Sequence, residues 1–400
     1  MPLVIGVTKE FAAGERRVAL VPDVAKKYQG LGATLMLQVG AGSAAYFRDE
    51  DYGAAELDAE ARSVLRKADV ILQVQPLSIE DIAELKSGAV LVGLQQPWSS
   101  KERIELLRQK NITCFALELL PRISRAQSMD VLSSQAAVAG YECALIAADH
   151  SPKFFPMLTY AAGTIRPAKV LVIGAGVAGL QAIATAKRLG AMVSGYDVRP
   201  ETKEQIESLG AKFVDTGVSA AGAGGYAREL TEDEKRQQAD KLGRAIADCD
   251  VLITTAAIPG KKAPVIVSAD MVAKMKPGSI VVDMAAETGG NVAGTLAGEK
   301  TWVGETLIIG PTNIPSRMPV HASEMYAKNL FNFISPFIKD GALALDWEDD
   351  VLAGACLTHG GELRHAGVKQ VLGPYPGDDP GRIRRDLYVR ARGRCRLRSH

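Results

Sequence analysis

The sequence predicts an α/β protein: two Rossmann-like, doubly wound parallel-sheet domains joined by two long helices, with a cleft between them. Three observations predict it. Short apolar runs alternate with amphipathic stretches along most of the chain. A glycine-rich turn near residue 174 separates a wholly apolar run from a helical one. Two long helical patterns, 131–147 and 318–338, bracket the middle of the chain.

Residues 3–7, 34–39, 70–74, 90–94 and 113–117 read as strands, with helices at 23–31 and 101–108. Strands separated by helices imply right-handed crossovers and a parallel sheet. The helix 131–147 leads into a second lobe, and His150, Ser151 and Pro152 break the pattern. That lobe opens with the strand 169–173, apolar enough to be buried on both faces. Helix 178–189, strand 192–196, helix 202–208 and strand 212–214 come next, then strands 251–255 and 279–282; 307–310 closes the sheet. Helix 318–338 returns the chain. The domains are therefore 1–130, completed by about 325–372, and 131–324, with the cleft between them as the expected ligand site. Residues 216–228, rich in Gly and Ala around Tyr226, read as a flexible loop, and the arginine-rich 373–400 as a disordered tail.

The 400 residues carry a net charge of +1, with 47% hydrophobic and 23% charged, which is ordinary for a globular protein and gives no electrostatic case for nucleic acid. The five cysteines form no C-x-x-C pair and no metal-ligand cluster, so they read as reduced and no metal is expected. No leader pattern and no apolar stretch of about 18–20 residues is evident, so the expectation is a soluble, cytoplasmic chain.

The strongest motif is the run KVLVIGAGVAGLQAIATAKRLGAMVSGYDVR from Lys169. Gly174 allows the tight turn, Gly176 lets a pyrophosphate approach the backbone, and Gly179 lets helix and strand pack closely. The phosphate then meets the positive end of a helix. Asp197, at the end of the second strand, is placed to accept bonds from ribose hydroxyls and to repel a 2′-phosphate, which favours NAD(H) over NADP(H). Arg199 pulls the other way, since a nearby arginine can serve that phosphate; the strand-end position of Asp197 decides for NAD(H).

The segment from Pro121 to Gln135 is polar where a strand should meet a helix. Arg122 and Arg125 suit a phosphate or carboxamide, and Gln127, Asp130 and Ser133 suit hydrogen bonds to a ligand. The alternative is a solvated helix start capped by Asp130 or Ser133. RISRAQSMD, together with AAGTIRPAKVLVIGAGVAGLQAIATAKRLGA, DVRPETKEQIESLGAKF, GGYARE, TTAAIPGKKAP and MVAKMKPGSIVVDMA, resembles the alpha subunits of proton-translocating NAD(P) transhydrogenases over roughly residues 1–370.

The resemblance implies a soluble NAD(H)-binding subunit of the split form. Its partners would be a membrane-spanning proton-channel subunit and a beta subunit that binds NADP(H), with hydride passing directly between the two nicotinamides. It also implies a homodimer, peripheral on the inner face of the bacterial plasma membrane. Carried over by motif, Arg122, Gln127, Asp130 and Ser133 hold the nicotinamide end and serve catalysis, with Ile123, Ser124 and Arg125 among the cofactor contacts. Val177, Asp197, Val198 and Arg199 surround the adenosine, Gly225 and Gln238 are further contacts, and Tyr226 belongs to a loop that closes over the nucleotide. Ala257 departs from the leucine common there.

Alanine dehydrogenase is the rival resemblance. Its substrate arginine matches Arg17, but its lysine falls at Gln75, its catalytic histidine at Gln95 or Gln96, and its acidic partner at Glu287. His150, His321, His359, His365 and His400 all lie outside the cleft motifs. Direct transfer between two nicotinamides places no proton and needs no general acid.

Overall fold

The apolar run after Lys169 becomes a strand because each face has its own core to fill. In the computed structural model, which describes residues 2–220, 228, 230–258 and 260–372, Val170 and Val172 join one apolar cluster and Leu171 and Ile173 the opposite one. Burying each such side chain contributes about 1.5–3 kcal/mol. Around this strand lie Met192–Tyr196 and Lys212–Phe213 on one side and Val251–Thr254, Ile280–Asp283 and Thr306–Ile309 on the other, all parallel. The edge is Lys300–Val303, antiparallel to Thr306–Ile309, so the sheet does not close at 307–310 as the sequence suggests.

The first sheet repeats the plan. Val4–Val7, Thr34–Gln38, Glu56–Asp58, Val70–Leu72, Val90–Gly93 and Thr113–Ala116 are parallel, in the order third, second, first, fourth, fifth, sixth. Cys356–His359 and Glu362–Leu363 extend it in antiparallel fashion beyond Thr113–Ala116. Both sheets thus reverse strand order between their first and fourth strands, where open parallel sheets bind ligands beyond the carboxyl ends.

Two helices link the lobes. Val131–His150 places Val131 in the first lobe's core and Ala139, Cys143, Ala144, Ile146 and Ala147 in the second's. Serving two cores makes it apolar all round. By length and composition it is also the one helix among the described residues long and apolar enough to cross a membrane, contrary to the expectation that no such stretch exists. Pro319–Ile334 sets Tyr326, Leu330 and Phe333 into the first core. It stops short of 338 because Pro336 opposes the α conformation before it, and a 3-10 turn at Ser335–Phe337 takes over. A small antiparallel ribbon, Leu158–Tyr160 with Gly163–Ile165, stands apart from both sheets.

Candidate functional site

The glycine turn sits at the switch point of the second sheet. Gly174 has φ +92°, a conformation L side chains resist, and a Cβ there would lie 2.7 Å from Thr255 Oγ1. At Gly179 a Cβ would lie 1.7 Å from the Gly174 carbonyl oxygen, so helix Val177–Arg188 packs on the turn only without a side chain. A Cβ on Gly176 would meet nothing within 4 Å: the space over this residue is open. No side chain caps the helix at Gly176, so its first N–H groups face that space, the arrangement that takes a phosphate.

Asp197 lies at the end of strand Met192–Tyr196 and is 9% exposed. Its carboxylate accepts from the Ala175 N–H at 2.7 Å, binding the turn to the second strand, and from Arg199 through N, Nε and Nη2 at 2.9, 2.9 and 2.8 Å. Burial opposes its ionisation, but Arg199 and the two backbone N–H groups outweigh burial and hold it below the usual carboxylate range. Gln238 Nε2 donates to Tyr196 Oη at 2.7 Å, beside the same strand end. Val177 is 45% exposed at the helix start and Ala257 is exposed beyond strand Val251–Thr254. Gly225 and Tyr226 lie outside the described residues.

The residues that shape the loop of Ala257 are not legible in the sequence. Asn291 accepts from the Ala256 N–H and donates to the carbonyls of Ala256 and Pro264. Beneath it the fully buried Asp283 accepts from Asn291 N, Val292 N, Thr254 Oγ1 and Thr295 Oγ1. These partners come together only through the sheet, so no local spacing announces them.

The polar segment lies at the other end of helix Val131–His150. Asp130 caps that helix, accepting from Ser133 N at 3.0 Å and Ser133 Oγ at 2.5 Å; the capping role and a ligand role are compatible on a half-buried carboxylate. Arg122, Ile123, Ser124 and Gln127 are exposed around the 3-10 turn Ser124–Met129. Arg125 turns to Asp349, with Nη1 to Oδ2 2.5 Å and Nη2 to Oδ1 2.7 Å. The helix crosses the start of Val177–Arg188 at Gly140, where a Cβ would lie 2.0 Å from the Ala178 carbonyl oxygen. Asp130 is ten residues up the helix from there, about 15 Å along the axis.

The positions that would act in an amino-acid dehydrogenase also converge, in the first lobe. Arg17, 4% exposed, donates to Glu15 through Nε and Nη2 at 2.8 and 2.6 Å, to Gln135 at 2.9 Å and to Asn313 at 3.2 Å. Burial pushes the Glu15 carboxyl up, but Arg17, Gln75 and Ser316 overcome it and hold it at about 2. Gln75 donates to Glu15 at 2.8 Å, Gln96 reaches Gln75 at 3.5 Å, and Glu287 accepts from the Asn313 N–H at 3.2 Å. The guanidinium is thus already paired within the chain, and amides stand where a lysine and a histidine would act. His150, His359 and His365 are engaged elsewhere, with the Ile146 carbonyl, Thr113 and the Val368 N–H.

This geometry defines a two-lobed nicotinamide-dinucleotide-binding protein with a glycine-turn phosphate site on its second lobe. Residues 6–139 match the alanine dehydrogenase/PNT N-terminal domain and residues 143–366 the alanine dehydrogenase/PNT C-terminal domain. The chain belongs to this family, on the side of the NAD(P) transhydrogenase alpha subunits. It is 45% identical over 374 residues to the first of the two alpha-subunit chains of NAD(P) transhydrogenase from Rhodospirillum rubrum, covering 90% of this chain and 97% of that one. The corresponding chain from Rickettsia prowazekii is 42% identical over 363 residues, 89% of this chain and 94% of that one. A solved transhydrogenase from Sinorhizobium meliloti superposes with a TM-score of 0.82 at 44% identity, covering 90% and 99% of the two chains. Alanine dehydrogenase of Halomonas elongata is more distant, 27% identical over 92% of this chain and 96% of its own.

Proposed function

We propose that the chain is the NAD(H)-binding subunit of a proton-translocating NAD(P) transhydrogenase, passing hydride from NADH to NADP+ held on a partner subunit. The carrying observation is the pairing of an open, uncapped glycine turn with the polar segment Arg122–Ser133 along one rigid helix. The turn and Asp197 take the pyrophosphate and the adenosine ribose; Arg122, Gln127, Asp130 and Ser133 take the carboxamide and ribose of the other half. Val177, Val198, Gln238 and Ala257 line the adenosine side, with Gly225 and Tyr226 expected to close over it.

A bound nicotinamide supplies the hydride. The chain's contribution is then alignment, because a hydride moving between two ring carbons leaves no proton to place. The residues suit that role. Amide, hydroxyl and capped carboxylate orient a ring, and the segment itself contains no histidine.

The partners implied are a membrane-spanning proton-channel subunit and an NADP(H)-binding beta subunit, which would hold the chain at the inner face of the bacterial plasma membrane. A homodimer is favoured by the ribbon at Leu158–Ile165, which leaves Phe154, Met157 and Tyr160 more than half exposed; a lone two-stranded ribbon is marginal in water and exposed apolar side chains near it favour a protein partner.

The test is reconstitution. The chain with an NADP(H)-binding subunit should transfer hydride between NADH and an NADP analogue, and alone it should not. Alanine-dependent reduction of NAD by the isolated chain would instead support the dehydrogenase reading.

A further inference from the structure

The segment 121–130 carries most of the residues assigned to the nicotinamide end, yet it holds itself together poorly. Its internal bonds are Ile123 N to Pro121 O at 2.9 Å, Ala126 N to Ile123 O at 3.0 Å and Asp130 N to Gln127 O at 3.4 Å. A six-residue 3-10 turn is long for its kind, with poorer bond geometry than an α-helix. Its position has to be set from outside.

Three contacts set it, all from residues 329–354. Arg125 forks onto Asp349 at 2.5 and 2.7 Å. Asn329 and Asn332 both donate to the Ser128 carbonyl, at 2.8 and 3.0 Å. Pro121 lies against Gly354, where a Cβ would come within 3.0 Å of the ring. Asp349 has a second duty: Oδ1 accepts from Val351 N and Leu352 N at 2.9 and 3.0 Å, capping helix Asp350–Ala355. One carboxylate therefore ties the turn to a fixed helix start, and the bidentate form fixes angle as well as distance.

We infer that Asp349 and Arg125 are positioning residues for hydride transfer: their fork holds the backbone that presents Gln127 and Asp130, and Arg125 serves the segment rather than the cofactor. The inference rests on the transhydrogenase reading above. It places the control of ring alignment more than 200 residues away in sequence, in a stretch of the chain that no cofactor motif touches.

The two duties of Asp349 can be separated. Asp349→Ser keeps an oxygen that caps a helix but cannot fork to an arginine. Arg125→Lys keeps the charge and loses the fork. Each variant, and the double variant, is assayed with the NADP(H)-binding partner subunit at saturating NADH and NADP analogue, alongside NADH titration and thermal melting. The expected result is an unchanged melting temperature, an NADH Kd within about twofold of the unaltered chain, and a transfer rate down by about tenfold, since misplacement by a fraction of an ångström is felt at this scale. The double variant should lose no more than either single one, because both break the same fork. An unchanged rate in Arg125→Lys overturns the inference, as does a rise in NADH Kd that matches the loss of rate, which would make Arg125 a cofactor contact. If the unaltered chain with its partner transfers no hydride, the transhydrogenase reading falls first and the positioning role with it.

Discussion

Asp197 and Arg199 form a closed unit: the arginine meets the carboxylate through its backbone N–H, Nε and Nη2 within 2.9 Å. The two residues that argue for different cofactors in the sequence are thus one device. While Asp197 is ionised it orients Arg199 inward and keeps a negative charge at the ribose position. The chain should bind NADH well ahead of NADPH. Asp197→Ala should weaken NADH by about 1–2 kcal/mol, the scale of a charged hydrogen bond. It should weaken NADPH less, because Arg199 is released. Titration of both nucleotides against both proteins checks this; equal affinity of the unaltered chain for the two would sink it.

The glycines of the turn should separate folding from binding. Gly179→Ala drives a methyl to 1.7 Å from a carbonyl oxygen and should lower stability by several kcal/mol, in line with overpacking against backbone. Gly176→Ala points into open space. It should melt with the unaltered chain and lose NADH affinity at least tenfold, because the methyl occupies the pyrophosphate's approach. Normal NADH binding by Gly176→Ala would remove the turn from the site.

An aligning site and an acid–base site respond differently to a small displacement. Gln127→Asn moves the amide by about 1 Å, and misplacement on that scale costs about a hundredfold in rate. Transfer in the reconstituted complex should fall by that order while NADH affinity changes little, since the exposed Gln127 lies far from the glycine turn. Rate and affinity falling together would mean that Gln127 supplies binding and not alignment.

The Glu15–Arg17 pair gives a pH signature. The Glu15 carboxyl ordinarily titrates at 4.5 and is held at about 2 in the fold. Its contribution is therefore fully present above pH 4.5 and is lost as pH falls toward 2. Glu15→Gln should cost about 3–5 kcal/mol at neutral pH, the penalty of leaving a buried guanidinium without its charge partner. The variant should also show a shallower acid limb in denaturant melts taken across that window. An acid limb of unchanged slope would show that Glu15 does not set it.

Much of the second lobe is readable because its strands are apolar on both faces. Val170 to Ile173 and Val251 to Ile253 announce themselves, and the glycine turn fixes the helix and strand after it. The segment at Glu56–Asp58 and the edge Lys300–Val303 give no clear signal because they are short and largely exposed. Helix Glu232–Asp248 is faint in the sequence although Thr231 and Glu234 form a capping box; it buries only Leu242 and Ile246, so its apolar stripe is thin. Asp130 as a helix cap can be read locally. The Arg125–Asp349 fork cannot, since 224 residues separate its halves and nothing in either neighbourhood names the other.

Gly140 turns helix Val131–His150 into a lever. Its missing side chain lets the helix rest on the Ala178 carbonyl, and that point acts as a fulcrum with Asp130 at the end of an arm of roughly 15 Å. A tilt of about 4° at the fulcrum swings Asp130 by about 1 Å, which is the displacement that costs a hundredfold in rate. One added methyl, Gly140→Ala, should therefore be felt at the far end as lost turnover, with NADH still held at the near end, and crystal structures of the two proteins should differ by a rotation about residue 140.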